Sequence, residues 1–203
     1  SGLSEETICE GNNGIQNRNF NNKGLTIVYL ARIAKDKNVS FSIDILEKVK
    51  AEVVFDIYGP IEDQELWNAC LEKIKMLPSN IKVNYCGVLK RADVGKTLKQ
   101  YDLFFMPTFG ENYGHSIAEA LTVGTPVLIS NKTPWRNLEA DGLGWDIDLG
   151  APGLFVEAIE YLAALPDPIK NQNRIKIFDI IKKRMNNPEI LSANKALFKL
   201  PFK

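Results

Sequence analysis

Short apolar runs alternating with helix-like stretches constrain this chain more than any other feature of its sequence. Leu25–Ala31 (LTIVYLA), Val53–Tyr58 (VVFDIY, closed by Gly59-Pro60), Ile81–Tyr85, Leu103–Met106 and Thr125–Ser130 are all rich in β-branched, aliphatic or aromatic residues and bounded by turn signals. Runs of this kind read as strands buried on both faces. Between them lie helix-like stretches over Val39–Lys50, Gln64–Leu77, Asp93–Gln100 and Gly114–Val123, and further helices are expected over Leu154–Ala164, Lys170–Met185 and Pro188–Lys199. Strand–helix alternation implies right-handed crossovers, hence an α/β fold with a parallel sheet flanked by helices. Ligands bind such sheets at the carboxyl ends of the strands. The loops after Ala31, Tyr58, Tyr85, Met106 and Ser130 are therefore the ones to search.

The chain's 203 residues suit one domain plus an extension, and 45% hydrophobic with 25% charged content supports a sizeable core. Residues 1–23, Asn- and Gly-rich and without periodicity, read as a linker or mobile arm. Residues 24–187 form the domain, and 188–203 a terminal helix or tail. Basic and acidic residues balance at 25 each, which argues against a nucleic-acid binder and leaves room for a local basic pocket. Cys9, Cys70 and Cys86 have neither zinc nor disulfide spacing and read as thiols of a reducing compartment. No apolar run approaches the roughly 20 residues of a membrane span. With no secretory signal at the polar, acidic start, the sequons at Asn38 and Asn131 are chance matches and a cytoplasmic location is expected.

Some motifs mislead. Gly95-Lys96-Thr97 resembles the end of a P-loop, but the position of the earlier glycine holds Lys90 and the triplet falls inside a helical stretch. Asp146-Ile147-Asp148 resembles a metal-holding D-x-D. On a strand both carboxylates would share one face, but a solvated edge explains them as well. There is no G-x-G-x-x-G, and His115, the only histidine, cannot build a metal site or a triad alone. No metal and no cofactor are expected.

The informative stretch is Pro107–Ile129, PTFGENYGHSIAEALTVGTPVLI. Gly114 permits close backbone approach at a helix start, where the first amides, near His115 and Ser116, are unpaired donors at a positive dipole end. That is an anion site suited to phosphate. Glu119 shares a helix face with His115, about 6 Å along the axis from the tip at ~1.5 Å per residue. Glu111 lies in the loop beyond the tip, with seven residues between the two glutamates. Carboxylates accept paired hydrogen bonds from vicinal hydroxyls, so two of them flanking a phosphate site match a nucleotide sugar. The plainer reading is a pair of surface glutamates beside an ordinary helix start.

This stretch resembles the signature of group 1 glycosyltransferases, the retaining family four with the GT-B fold: Glu, seven residues, Glu, within a phrase like E-G-F-G-x-x-x-x-E-A-x-x-x-G-x-P-V. Asn112 replaces a common Gly and Tyr113 a common Phe. Ala31-Arg32-Ile33 with Lys37-Asn38 is similar to the family's G-R-L-x-x-x-K-G/N, with Ala31 for the usual Gly; VNYCGV over Val83–Val88 resembles V-x-F-x-G-x; and Thr133–Arg136 resembles a subgroup's loop. The resemblance covers roughly residues 24–165 and implies a Rossmann-like domain, the C-terminal half of a GT-B fold. It also implies that Arg32 and Lys37 face the diphosphate, Glu119 holds the ribose hydroxyls and Glu111 touches the donor sugar. Asn112, Tyr113, Gly114, His115 and Ser116 would reach sugar and phosphate, with Gly87 and Val88 at the base. The donor would be a UDP- or GDP-sugar held without metal.

The resemblance further implies a partner domain of similar size that binds the acceptor. Nothing before Gly24 is long enough to supply it, so the chain is expected to be the donor-binding half and inactive alone. A lipid-linked acceptor would bring peripheral contact with the inner face of a membrane. A GT-B nucleotide-sugar epimerase and a non-catalytic donor-binding module are the alternatives.

Overall fold

The computed structural model describes residues 24–186; the arm over 1–23 and the helix expected over 188–199 lie outside them. Six strands form one parallel sheet: β1 (Leu25–Leu30), β2 (Val53–Tyr58), β3 (Ile81–Tyr85), β4 (Leu103–Met106), β5 (Val127–Ser130) and β6 (Gly144–Ile147). Their order is β3-β2-β1-β4-β5-β6. Ile27 of β1 pairs with Phe55 of β2 on one side and Leu103 of β4 on the other. The chain winds one way from β1 to β3 and the other way from β4 to β6, so the switch point of this Rossmann-like sheet falls between β1 and β4.

The helices are α1 (Val39–Leu46), α2 (Gln64–Lys75), α3 (Val94–Leu98), α4 (His115–Thr122), α5 (Pro152–Ala164) and α6 (Asp167–Asn186). On one face of the sheet, Phe105 packs 6.3 Å from Phe55 and 6.0 Å from Phe155 of α5, and Phe155 meets Phe41 of α1 edge-on at 5.3 Å. Truncating a fully buried ring such as Phe105 costs about 3–5 kcal/mol. Helices α3, α4 and α6 pack together on the other face. There Asp56, buried in β2, accepts hydrogen bonds from Asn84 Nδ2 (2.7 Å) and Tyr101 Oη (2.6 Å).

The differences from the expected elements have local causes. β5 starts at Val127 because Pro126 has no N–H and the Thr125 amide closes α4 on Ala120 O at 2.9 Å. α1 stops at Leu46 because Lys48 and Val49 bond three residues back, tightening the chain into a turn. β6 is a full sixth strand, paired with β5 from Gly144 to Ile147, so Asp148 falls beyond its end. Asp146 accepts the Asn137 and Leu138 amides at 3.3 and 2.9 Å, and Asp148 accepts from Asn131 Nδ2 (2.9 Å) and Gly150 N (2.8 Å). Both carboxylates therefore brace loops at this sheet edge, where Asp148 remains exposed to solvent as expected. Gly95-Lys96-Thr97 lies inside α3, as its discounting as a P-loop required.

Candidate functional site

The loops leaving β1 and β4 meet at the switch point and are knitted together there. The Asp36 carbonyl accepts both Thr108 Oγ1 and the Phe109 amide at 2.8 Å, and Asn38 donates from Nδ2 to Pro107 O at 2.9 Å. Asn38 adopts a left-handed conformation, φ 57°, and is buried in this role. Tyr29 Oη, buried beneath the β1 loop, donates to the Lys37 carbonyl at 3.2 Å; burial pushes its hydroxyl pKa well up, so it remains a donor. Ala31 avoids positive φ, and the close approach of strand ends is made by Gly59 instead (φ 145°), where a Cβ would lie 1.8 Å from Ala31 O. Alanine is tolerated at 31 for that reason.

This scaffold brings together residues far apart in sequence. Lys37 Nζ lies 2.5 Å from Glu111 Oε1 and 3.3 Å from Asp36, with the Lys37 and Glu111 side chains only 12% and 18% exposed. Arg32 is more open; it pairs with Glu62 and, at 3.5 Å, with Asp36. The Glu111 amide donates to Lys132 O at 3.2 Å, and Trp135 Nε1 donates to Tyr113 O at 3.1 Å, so the loop after β5 braces the loop carrying Glu111.

Gly114 is the N-cap of α4 in left-handed geometry, φ 67°, and no side chain caps the helix. The space a Cβ would need there is taken by Ile117 Cδ1 at 2.8 Å and Trp135 Nε1 at 3.0 Å. Glycine is thus required by dihedral and packing together. The first-turn amides are left as donors at the positive end of the helix. His115 stacks on Tyr113, ring centroids 5.8 Å apart. Glu119, one turn in, is half-buried and takes part in no hydrogen bond or ion pair through its carboxylate among the described residues. Its pKa is raised by burial, against the smaller opposing pull of Arg91 and His115.

These residues enclose an open cleft of about 790 Å³. Arg32, Lys37, Glu111 and Glu119 all line it, as do Asn112, Tyr113, Gly114, His115 and Ser116. Gly87 and Val88 do not: the Gly87 carbonyl accepts the Gly59 amide at 2.8 Å, Val88 points to solvent, and the same loop supplies Leu89 and Arg91 to the wall instead. Asp36 and Arg91 are cleft residues that the sequence reading passed over. The acidic neighbour between Arg32 and Lys37 and the basic residue ahead of α3 were the available signals. A second cleft of about 680 Å³, between α5, α6 and β6, holds none of the motif residues. Among the described residues no three His, Cys, Asp or Glu side chains are grouped to hold a metal, and no helix is long and apolar enough to cross a membrane.

A Rossmann-like sheet with its cleft at the switch point, lined by the tip of α4 and by Arg32, Lys37 and Arg91, is the arrangement that the resemblance to GT-B glycosyltransferases implies. Comparison agrees. The profile of the family described as Glycosyl transferases group 1 matches residues 12–178, and the chain belongs to that family. It is 26% identical over 160 residues to alpha-monoglucosyldiacylglycerol synthase of Streptococcus pneumoniae, covering 76% of this chain and 35% of the synthase. The fold is similar to Anabaena HepE in complex with UDP and glucose (TM-score 0.69, 19% identity, 88% of this chain and 49% of that one). It is also similar to the C-terminal domain of a group 1 family protein, LpcC, of Francisella tularensis (TM-score 0.67, 14% identity, 79% of this chain and 86% of that one). The chain spans about a third or less of the length of the curated relatives it matches.

Proposed function

We propose that this chain is the donor-binding part of a retaining glycosyltransferase and holds a nucleoside-diphosphate sugar in the switch-point cleft. The observation that carries the reading is the cleft's division of labour. Arg32, Lys37 and the tip of α4 line it together, and one turn into that helix stands a half-buried carboxylate with no hydrogen bond or ion pair among the described residues. The diphosphate lies against Arg32, Lys37 and the first amides of α4, where negative charge grows as the sugar departs. Glu119 accepts the ribose hydroxyls and Glu111 a hydroxyl of the sugar. In the free protein Glu111 is engaged by Lys37. Donor binding exchanges that pair, sending the ammonium to phosphate and the carboxylate to sugar. Glu111 acts by orientation and not as a covalent nucleophile. The fold likeness to a structure holding UDP and glucose supports a UDP-sugar, with a GDP-sugar as the other candidate. The relatives' names include a glycolipid synthase and a peptide N-acetylglucosaminyltransferase, which supports an acceptor, lipid-linked or otherwise, chosen by residues outside this domain. Transfer therefore requires a second, acceptor-binding domain.

Calorimetric titration of UDP and GDP into the chain, with EDTA present, tests this. Saturable binding of one of them is expected, without a requirement for magnesium and without sugar transfer by the chain alone. Binding that appears only when magnesium is restored, or turnover at rates typical of enzymes, would overturn the reading.

A further inference from the structure

The charged side chains at the β1 end of the cleft form a ladder of alternating sign: Glu62, Arg32, Asp36, Lys37, Glu111. Its outermost carboxylate, Glu62, is unlike the other two. Asp36 and Glu111 line the cleft, whereas Glu62 does not. It stands on the loop entering α2, and the backbone there is fastened to the β1 loop. Ile33 bridges to Ile61, and the amides of Glu62 and Asp63 both donate to Ile33 O at 3.2 and 3.1 Å. Glu62 is therefore anchored beside the cleft rather than in it. From there it takes Nη1 of Arg32, while Nη2 reaches Asp36 at 3.5 Å. Both terminal nitrogens of the guanidinium thus already face carboxylates.

We propose that Glu62 is a built-in counter-anion that competes with the diphosphate for Arg32 and so sets the affinity of the cleft. This rests on the reading that Arg32 faces the diphosphate. Glu62 occupies Nη1 of Arg32 and offsets its charge, so a phosphate that turns to Arg32 competes with Glu62 for the guanidinium. Glu62 is a positioning residue: it acts on the ligand only through Arg32. The pair is about half exposed, with side chains at 48% and 45%, so the competition is screened and modest. Lys37 lacks such an outlying rival, because its carboxylate partners are both cleft residues.

The test is calorimetry on the full 203-residue chain at low salt, with UDP, GDP and the corresponding nucleosides. Glu62→Gln is expected to tighten the bound diphosphate by about two- to fivefold, the span an exposed ion pair can withhold, and to leave the nucleoside unchanged. Glu62→Ala should give the same gain. In an Arg32→Ala background the Glu62→Gln gain should vanish, an outcome a merely structural role would not produce. The inference is overturned if Glu62→Gln binds the diphosphate no better than wild type, or if the gain survives loss of Arg32. Wild-type protein that binds neither diphosphate would bring down the site assignment itself, and this inference with it.

Discussion

At the β1 end of the cleft both Arg32 and Lys37 are already ion-paired, whereas at the α4 end Glu119 is half-buried with no ion pair or hydrogen bond to its carboxylate among the described residues, and only the weaker pull of Arg91 and His115. The two ends accept a ligand in different ways. On the proposed reading, binding at the β1 end is an exchange in which phosphate replaces carboxylate, so removing a carboxylate should cost little or release a cation. On the same reading, at the α4 end the ligand would supply hydrogen-bond donors to Glu119, and removing the carboxylate would remove those bonds outright. The largest expected effect is therefore at Glu119. Glu119→Ala should weaken nucleoside diphosphate and sugar-bearing donor alike by about 10–100-fold, since bonds to a charged acceptor contribute roughly 1.5–3 kcal/mol. Calorimetry with both ligands measures this. A variant that loses affinity only for the sugar-bearing donor would invert the proposed roles of the two glutamates.

Lys37→Ala ranks next. Losing a phosphate-facing ammonium costs a charge-assisted bond, but the free protein also loses the Lys37–Glu111 pair, which partly offsets it. A roughly three- to tenfold weakening is expected, shrinking as salt rises. Equal weakening at high and low salt would argue that Lys37 acts by packing. Glu111→Ala should change the sugar-free diphosphate by less than about twofold, or tighten it slightly by freeing Lys37, while the sugar-bearing donor binds more weakly. Abolition of sugar-free binding in a folded Glu111→Ala variant would break the comparison between the two ends.

The contrast itself was only partly legible in the sequence. The sheet was, because buried parallel strands such as Leu103–Met106 are written as unbroken apolar runs that need no partner to be recognised. The tip of α4 was, because Gly114 followed by HSIAEAL is a local signal. The Lys37–Glu111 contact was not, since those residues are 74 apart and meet only because β1 and β4 are neighbours in the sheet. The resemblance put Gly87 and Val88 at the base, and the residues of that loop that line the cleft are Leu89 and Arg91. A one- or two-residue offset of that kind depends on loop dihedrals, here Gly87 at φ 70°, which spacing does not specify. Arg91 and Asp36 escaped notice for a related reason. Single charged residues in loops carry no periodicity, and only the fold shows which way they face.

The smallest expected effect concerns stability and isolates the α4 end without any ligand. Burial raises the Glu119 pKa above its ordinary 4.5, so in the free protein the folded state disfavours the carboxylate relative to the unfolded chain. A group whose folded pKa is raised contributes stability below its unfolded pKa, and that contribution is lost as pH climbs through the folded value. At neutral pH wild type has therefore lost it. Glu119→Gln keeps the shape and a hydrogen-bonding carbonyl oxygen but cannot ionise, so it does not incur the loss. Its melting temperature should exceed that of wild type at pH 7, and the gap should close as pH falls toward 4, where wild-type Glu119 is itself protonated. The same variant should bind the nucleoside diphosphate more weakly than wild type, because an amide is a poorer acceptor for ribose hydroxyls than a carboxylate. Higher stability with lower affinity would mark Glu119 as a residue held at a cost to the free fold for the sake of its ligand. A melting temperature at pH 7 equal to or below that of wild type would mean that solvent or another donor already satisfies the carboxylate, and the two ends of the cleft would no longer differ in kind.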